Sequence, residues 1–334
     1  FEAFPDQVMI VCDAYIDHPS FGIPVIGRIL EDAGYRVAII PQPNWKDDLR
    51  DFKKLGKPRL YFGVSAGAMD SMVNHYTAAK RLRSTDAYTP GNKAGFRPDY
   101  PTIVYTKALK SLFPDVPVII GGIEASLRRI THYDYWQDRL RPGILIDSPA
   151  DLLIYGMGET PILQIADLLD RGVSMDQLTQ IPQTAFVSTT TIETAKKWET
   201  RHLHSHEGCM KDKRKYAENF VSIESESNRP SNVRFIQSFA DRHIVINPPA
   251  PAPGQKGLDR IYDLPFTRQP HPRYHHRPAI PAYEMIRHSV NTHRGCFGGC
   301  SFCTIAAHQG KMIQSRSKES ILNEVNYIKE MPDF

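Results

Sequence analysis

The chain has 334 residues, more than one typical domain, which predicts two or more domains that each bury a core. Hydrophobic residues make up 41% of it and charged residues 23%, as in ordinary soluble globular proteins, and no run approaches the roughly 20 apolar residues that cross a bilayer. The net charge of +4 is small for this length, so no membrane and no nucleic-acid partner is indicated.

Residues 1–172 alternate short apolar runs with amphipathic stretches. The apolar runs, each suited to a buried parallel strand, are Gln7–Cys12, Arg36–Ile40, Leu60–Val64, Val116–Ile120 and Asp151–Tyr155. Helices are predicted over Ile23–Ala33, which ends before Gly34, and over Pro161–Leu169. Strands that alternate with helices predict an α/β fold with an open parallel sheet of the flavodoxin-like or Rossmann-like kind.

Small and acidic residues follow these strands. Asp13 and, a little further on, His18 come after the first strand, and Gly121 and Gly122 come after the fourth. Ligands of such sheets bind outside the carboxyl ends of the strands, so these four residues are candidates for binding a cofactor. Glycines and acids also serve tight turns and helix starts, and the sequence leaves both interpretations open.

The central part of the chain has a weaker pattern. We predict an irregular, partly helical insert over residues 173–246. Residues 247–281 contain a run of prolines that begins at Asn247-Pro248-Pro249, and they predict an extended, semi-rigid linker between two domains.

Three of the five cysteines, Cys296, Cys300 and Cys303, lie close together with the spacing C-x3-C-x2-C. Cysteine thiolates hold iron–sulfur clusters, and a cubane of four irons needs four ligands. Three protein ligands would leave one iron open to an exchangeable ligand. Gly298 and Gly299 suit a loop that wraps closely around a bulky group, and Phe302 would place an aromatic ring beside it.

A zinc site or a disulfide fits the three cysteines less well. A zinc site usually brings a second pair of ligands, and no such pair follows in the sequence. A disulfide would leave one of the three cysteines unpaired. The alternative that stays open is a non-catalytic module that binds a small ligand and holds a structural metal at the cysteines.

The cysteines together with Phe302 resemble the C-x3-C-x-aromatic-C signature of the radical SAM superfamily. Stretches before and after them, at residues 280–287 and 313–317, resemble the YgiQ-type radical SAM proteins, as do residues 13–22, 121–129 and 132–136. The resemblance implies a [4Fe-4S] cluster on Cys296, Cys300 and Cys303, with S-adenosylmethionine on the free iron. Reductive cleavage would then give a 5′-deoxyadenosyl radical that acts on an unknown substrate, with electrons from an external donor of the reductase or flavodoxin type. The resemblance does not identify a catalytic residue.

The order of the N-terminal motifs also resembles a cobalamin-binding-type domain placed before a radical SAM barrel. The cobalt-ligand motif D-x-H-x-x-G is not met, because Asp17 and His18 are adjacent and Gly22 comes too late. The resemblance therefore implies the fold of such a domain rather than cobalamin itself.

Residues 282–334 match the beginning of a radical SAM core. A strand over Ile286–Thr292, the cysteine loop and a helix after Ser317 would form the first βα unit of a TIM-like barrel. The helix would pack through Ile321, Leu322, Val325 and Ile328. Because a barrel needs several more strands, we expect an incomplete core domain, and we expect this chain alone not to cleave S-adenosylmethionine.

The cysteine usage predicts a reducing compartment. The few cysteines are clustered, and the opening residues Phe1-Glu2-Ala3-Phe4-Pro5 lack the charged and apolar regions of a signal peptide. We therefore expect a cytoplasmic protein.

Overall fold

A computed structural model of the chain describes residues 4–190, 193, 195–227, 229–300 and 302–334. The strands are β1 (Gln7–Val11), β2 (Val37–Pro41), β3 (Tyr61–Ser65), β4 (Val118–Gly121), β5 (His132–Asp134), β6 (Arg139–Arg141), β7 (Leu152–Ile154), β8 (Thr184–Ser188), β9 (Glu199–His202), β10 (Val233–Phe239), β11 (Arg242–Ile246), β12 (His293–Arg294) and β13 (Gln314–Ser315).

The helices follow the same numbering along the chain. They are α1 (Gly22–Asp32), α2 (Arg50–Lys53), α3 (Ser71–His75), α4 (Pro101–Leu112), α5 (Gly122–Leu127), α6 (Ile144–Asp147), α7 (Glu159–Asp170), α8 (His206–Lys211), α9 (Lys213–Ser227), α10 (Gly254–Tyr262), α11 (Pro281–Ile286), α12 (Ile305–Gln309) and α13 (Lys318–Lys329). Short 3-10 helices cover Pro90–Asn92, Met175–Gln177 and Pro272–Tyr274. Among the described helices, none combines the length and the apolar character that crossing a membrane requires.

The described part of the chain is built on a mixed sheet of nine strands in the order β2-β1-β3-β4-β7-β8-β11-β10-β9. The first five of these run parallel to one another. Strands β8, β11 and β10 then continue the sheet through antiparallel pairs, and β9 lies parallel to β10 at the far edge. The sheet is therefore mostly parallel and belongs to an α/β protein.

Both faces of the parallel part are buried, as the continuous apolar runs predict. Side chains alternate between the two faces along a strand, so Ile10 of β1 packs with Tyr105 and Leu109 of α4, whereas Met9 faces the other side. There it meets Leu30 of α1 and the apolar face of α7. Helices thus cover both faces of the sheet, and the ends of the strands are left uncovered.

The five strands and two helices predicted in residues 1–172 are confirmed, with ends that shift by a few residues. Among the strands, the largest shift is in the fourth, which starts at Val118 instead of Val116. Val116 is itself buried, so apolar character continues beyond the hydrogen-bonded strand.

Residues 173–246 agree only in part with the expected irregular, partly helical insert: α8 and α9 lie there, but so do β8, β9, β10 and β11, which extend the main sheet. Strand β10 shows why its pattern did not predict a strand. It contains Arg234, which is fully buried and donates from Nε to Asn247 Oδ1 over 3.0 Å, and Gln237, which is also buried. Arg234 and Gln237 lie on opposite faces of the strand, and buried polar side chains on both faces hide the apolar alternation by which strands are recognised.

The predicted extended linker over residues 247–281 is also only partly right. It contains helix α10, whose Leu258, Ile261 and Tyr262 are buried. Beyond that helix the segment contains the 3-10 helix Pro272–Tyr274 and is hydrogen-bonded to the rest of the chain, because Asp17 N donates to Gln269 O and His271 N donates to Tyr15 O, each over 2.9 Å. Residues 269–271 of the predicted linker are thus hydrogen-bonded to the loop that follows β1.

The strand predicted over Ile286–Thr292 does not form. Its carbonyl groups are used by side chains instead: Arg268 Nη1 donates to the carbonyls of Arg287 and Ser289 over 2.9 and 3.0 Å, and Arg316 Nη1 donates to that of Asn291 over 3.0 Å. The only pairing described nearby is the two-residue ladder between β12 and β13.

The predicted helix after Ser317 is confirmed as α13, with Ser317 Oγ accepting from Ser320 N over 3.1 Å. Its inward face agrees in part with the predicted one, since Ile321 and Val325 are half-buried. Ile328 is buried, but its buried neighbours on the helix are Glu324 and Ser320, and Leu322 is half exposed.

Candidate functional site

A cavity of about 320 Å³ opens at the carboxyl ends of the parallel strands. Asp13 lies beyond β1, Gly67 beyond β3, Gly122 beyond β4 and Gly156 beyond β7, and all four line the cavity. The first residues of α1 and α7 complete this wall. The cavity therefore lies where ligands of open parallel sheets bind.

The opposite wall comes from the C-terminal part of the chain. Asn291, His293 and Arg294 reach the cavity from before the cysteine loop, and Ile305 and His308 reach it from after the loop. The loop with Cys296, Cys300 and Cys303 is thus held at both of its ends by residues that line the cavity.

Asp13 is buried in an ion-pair network. Its carboxylate contacts the Arg97 guanidinium and accepts from Ala68 N over 2.6 Å, while Arg97 Nε donates to Asp86 Oδ2 over 2.7 Å. Burial raises the pKa of Asp13 to about 6, although Arg97 acts in the opposite direction. The negative charge of Asp13 is therefore already paired with an arginine of the protein itself.

Gly121 and Gly122 form the turn from β4 into α5, at the edge of the cavity. Gly122 has φ +81°, and a Cβ there would lie 2.6 Å from Ser65 Oγ, so this position accepts only glycine without rearrangement. Packing between strand ends accounts for this glycine and gives the turn a structural role, and ligand binding at this glycine stays a prediction.

His18 does not line the cavity. It is fully buried, and the Arg268 guanidinium lies 2.8 Å from its Nε2. Burial lowers the pKa of His18 to about 3, and Arg268 acts in the same direction, so the imidazole is neutral. With Nε2 facing a guanidinium, His18 does not fit the role of a cobalt ligand, and the residues present do not fit a histidine-ligated cobalamin.

Two contacts attach the ends of the cysteine loop to the sheet. Before the loop, the Arg294 guanidinium pairs with Glu159 at the start of α7 and donates from Nε to Tyr262 Oη over 3.1 Å. After the loop, His308 Nδ1 lies 3.1 Å from Ser126 Oγ of α5, and burial lowers the pKa of His308 to about 4. No sequence pattern marks these residues, because each looks like an ordinary polar residue until the fold brings it to its partner.

The cysteine loop itself is open to solvent. Cys300 is exposed, Cys296 and Cys303 are half-buried, and all three are free thiols, whereas Cys12 and Cys209 are buried elsewhere. Phe302, next to Cys303, exposes 88% of its surface. The loop therefore offers its sulfur atoms and an aromatic face to an external group.

Gly298 lies between two of the sulfur atoms. Its N–H donates toward Cys296 Sγ over 3.4 Å, and a Cβ at this position would lie 3.3 Å from Cys296 Sγ and 3.7 Å from Cys300 Sγ. Any larger residue would fill the space between the two thiols. Gly299, with φ +60°, has no neighbour within 4 Å of such a Cβ.

The donor atoms of the loop decide which metal group it could hold. In the described residues, no three histidine, cysteine or acidic side chains are gathered closely enough to bind a metal ion. The donor set of three free, accessible thiols with a glycine between two of them nevertheless fits an iron–sulfur cluster in residue type. Gly298, Gly299 and Phe302 are thus placed beside the cysteines, whereas Asp13, Gly121 and Gly122 line the cavity.

A family model described as "Radical SAM N-terminal" matches residues 3–289. The chain is 62% identical over 329 residues to a UPF0313 protein of Porphyromonas gingivalis, which covers 98% of this chain and 52% of the relative. It is 58% identical to a UPF0313 protein of Bacteroides thetaiotaomicron and 51% identical to one of Geobacter sulfurreducens, covering 98% of this chain and 54% of the relative in each case. The chain thus spans about half the length of the curated relatives it matches.

Proposed function

The chain belongs to the Radical SAM N-terminal family, and from this premise we propose that the whole protein is a radical SAM enzyme whose cluster ligands are Cys296, Cys300 and Cys303. The observation that carries the proposal is the loop of three free, accessible thiols with Gly298 between two of them. Such a [4Fe-4S] cluster supplies the electron that cleaves S-adenosylmethionine to methionine and a 5′-deoxyadenosyl radical.

The chain's own residues would prepare the loop for this cluster. The Arg294–Glu159 pair and the His308–Ser126 contact fix the two ends of the loop against the sheet. The Gly298 N–H points at a sulfur atom, and hydrogen bonds to cluster sulfurs are one means by which proteins tune the potential. The exposed ring of Phe302 offers a flat apolar surface for the adenosyl part of the cofactor.

The strand order supports a finer description of the N-terminal part. The parallel strands β2-β1-β3-β4-β7 follow the order 2-1-3-4-5 of flavodoxin-like sheets. We therefore propose a flavodoxin-like domain over residues 1–172 and the start of a radical SAM core over residues 282–334. The antiparallel extension by residues 173–246 is an addition to that sheet.

Two further proposals follow from the cluster chemistry. An exposed cluster that must accept an electron needs an external donor, of the reductase or flavodoxin type. A cluster with three thiolate ligands is preserved in a reducing compartment, which favours the cytoplasm. The substrate and the reaction that follows radical formation stay open.

The alternative function is a small-ligand-binding module with a structural metal at the cysteines. The specific observation that favours it is the cavity at the strand ends, which could hold a ligand without any radical chemistry. Metal analysis separates the two, because a structural site would contain zinc and little iron in protein purified without oxygen.

The test is reconstitution with iron and sulfide under anaerobic conditions. Wild-type protein should retain about four irons per chain, as a cubane cluster requires, and Cys300→Ala should lose most of them. Cys209→Ala is the matched control, because it removes a buried thiol from another part of the fold and should leave the iron content unchanged. Equal iron in the Cys300 and Cys209 variants would overturn the assignment.

A further inference from the structure

We infer that the cavity at the strand ends is the substrate site of the proposed radical reaction, and that it takes an uncharged molecule with a largely apolar body. The inference extends the proposed function and depends on it in one respect: only if the protein is a radical SAM enzyme is the bound molecule a substrate. The binding site itself stands on the geometry of the cavity, which no part of the family assignment describes.

The walls of the cavity are mainly apolar. Side chains from the sheet, from α1 and the residue before it, from α7 and from α12 contribute most of the lining, among them Ile119, Ile154, Phe21, Ile26, Ile162 and Ile305. A volume of about 320 Å³ is within the range of pockets that bind small molecules. The favourable free energy of binding would come mostly from removing apolar surface from water.

Among the described residues, the two carboxylates and the one arginine that line the cavity already have partners. Asp13 pairs with Arg97, and Glu159 pairs with Arg294. His308 is kept neutral by burial, which lowers its pKa to about 4. A charged ligand would therefore meet no free counter-charge among these groups and would lose its hydration without compensation, which selects for an uncharged one.

The position of the cavity relative to the cysteines supports its role as the substrate site. Arg294 lies two residues before Cys296 and Ile305 two residues after Cys303, and both line the cavity. A bound molecule would thus lie against the two ends of the cysteine loop. A radical formed at the loop would need a carbon–hydrogen bond close by, and a largely apolar ligand presents many of them.

The mouth of the cavity offers a position for blocking it. Gly22 lines the cavity at the first turn of α1, has no positive φ, and a Cβ there would have no atom within 4 Å. The Cβ of a side chain at this position therefore meets no protein atom, and Gly22→Leu places a bulky group there. Gly22→Ala is the matched control, since it changes the same backbone position but adds only a methyl group.

The probe is indole, a neutral bicyclic molecule that is small enough for the cavity, with indole-3-acetate as its charged counterpart. Binding is measured by saturation-transfer NMR and by calorimetry on the intact protein. Wild-type protein and Gly22→Ala should bind indole with a Kd of about 1 mM or tighter, and indole-3-acetate at least tenfold more weakly. Gly22→Leu should weaken indole binding at least tenfold.

Several outcomes would overturn the inference: no indole binding to wild-type protein, equal binding to Gly22→Leu, or preference for indole-3-acetate. Circular dichroism and the melting temperature establish that each variant is folded. Iron content is measured on the same samples, because it reports on the proposed function alone. If the protein binds no iron but binds indole in a way that Gly22→Leu weakens, the binding site is supported and the radical chemistry is contradicted. If it binds iron but Gly22→Leu does not affect indole binding, the radical chemistry is supported and the binding site is contradicted.

Discussion

At the scale of single residues, His18 shows how burial turns a predicted ligand into a structural group. Sequence placed it beyond the first strand, where a cofactor would bind, but the fold encloses it and sets the Arg268 guanidinium 2.8 Å from Nε2. A histidine that must stay neutral in the folded protein makes stability depend on pH.

The first prediction concerns this histidine. Burial lowers the pKa of His18 to about 3, below the value of about 6.5 in the unfolded chain, so the unfolded state binds the proton more tightly between these values. The stability that the neutral imidazole contributes is present above about pH 6.5 and is lost as the pH falls toward 3. Between pH 7 and pH 5 the loss from this one group is about 2 kcal/mol.

The measurement is urea unfolding of wild-type protein and His18→Gln at both pH values. Glutamine keeps an acceptor for Arg268 but does not titrate, so the variant should lose less free energy of unfolding than wild type on going to pH 5. The comparison uses the difference between the two pH values, so a constant destabilisation of the variant does not matter. The same difference in both proteins would contradict the structural role of a neutral His18.

At the scale of elements, helix α13 is held by buried charge as well as by most of the apolar face that sequence predicts. Glu324 accepts from Arg268 and from Arg316, and all three side chains are buried. Arg316 also lies 4.3 Å from the centre of the Tyr262 ring in α10. One carboxylate thereby joins α13 to the linker and to the segment that follows the cysteine loop.

The second prediction follows from this shared carboxylate. Glu324→Gln would leave two arginines buried without their counter-charge, which should destabilise the docked state of α13 by about 3 kcal/mol. Hydrogen exchange should then accelerate roughly a hundredfold at the amides of α13. Glu330→Gln removes an exposed carboxylate at the end of the same helix and should have little effect. Unchanged exchange in Glu324→Gln would show that α13 is held by its apolar contacts alone.

Elements differ in how far sequence could predict them. The parallel strands were predictable because both of their faces are apolar, and α13 because Ser317 is a good N-cap. Strand β10 was not, because Arg234 and Gln237 are buried in it with polar partners that only the fold supplies. The strand expected before the cysteines does not form, because arginine side chains donate hydrogen bonds to the carbonyl groups of that segment.

The candidate site also has parts that sequence could predict and parts that it could not. The family was recognised from the cysteine spacing and the N-terminal motifs, and the comparisons confirm it. The edge of the sheet where a cavity lies was predictable from the strand ends, since Asp13, Gly121 and Gly122 do line it. The wall opposite was not, because Arg294 and His308 are far in sequence from Glu159 and Ser126, the partners that hold them there.

At the scale of the whole molecule, the sheet and the cysteine loop are joined at a few points. The Glu159–Arg294 pair is one of them, and it connects α7 with the residues just before Cys296. Glu159 and Arg294 are 8% and 7% exposed, so their interaction is shielded from water. Changes at the strand ends can therefore be transmitted to the loop.

The third prediction tests this connection. Glu159→Gln should free the start of the loop and increase hydrogen exchange at residues 293–300 about tenfold, because a buried arginine loses its partner. Glu284→Gln is the control, since Glu284 also lies in the first turn of a helix but pairs with Arg287 at the surface. Equal exchange in the loop of both variants would mean that the ion pair does not position the cysteines.

The whole protein should act through its cysteines, and spectroscopy of the reconstituted protein tests this most directly. Mössbauer spectra of protein loaded with ⁵⁷Fe under anaerobic conditions should show a [4Fe-4S] cluster in which one iron is distinct from the other three. Adding S-adenosylmethionine should shift the signal of that one iron. A protein that binds zinc instead, or a cluster whose spectrum is unchanged by S-adenosylmethionine, would contradict the proposal that three thiolates leave one iron open.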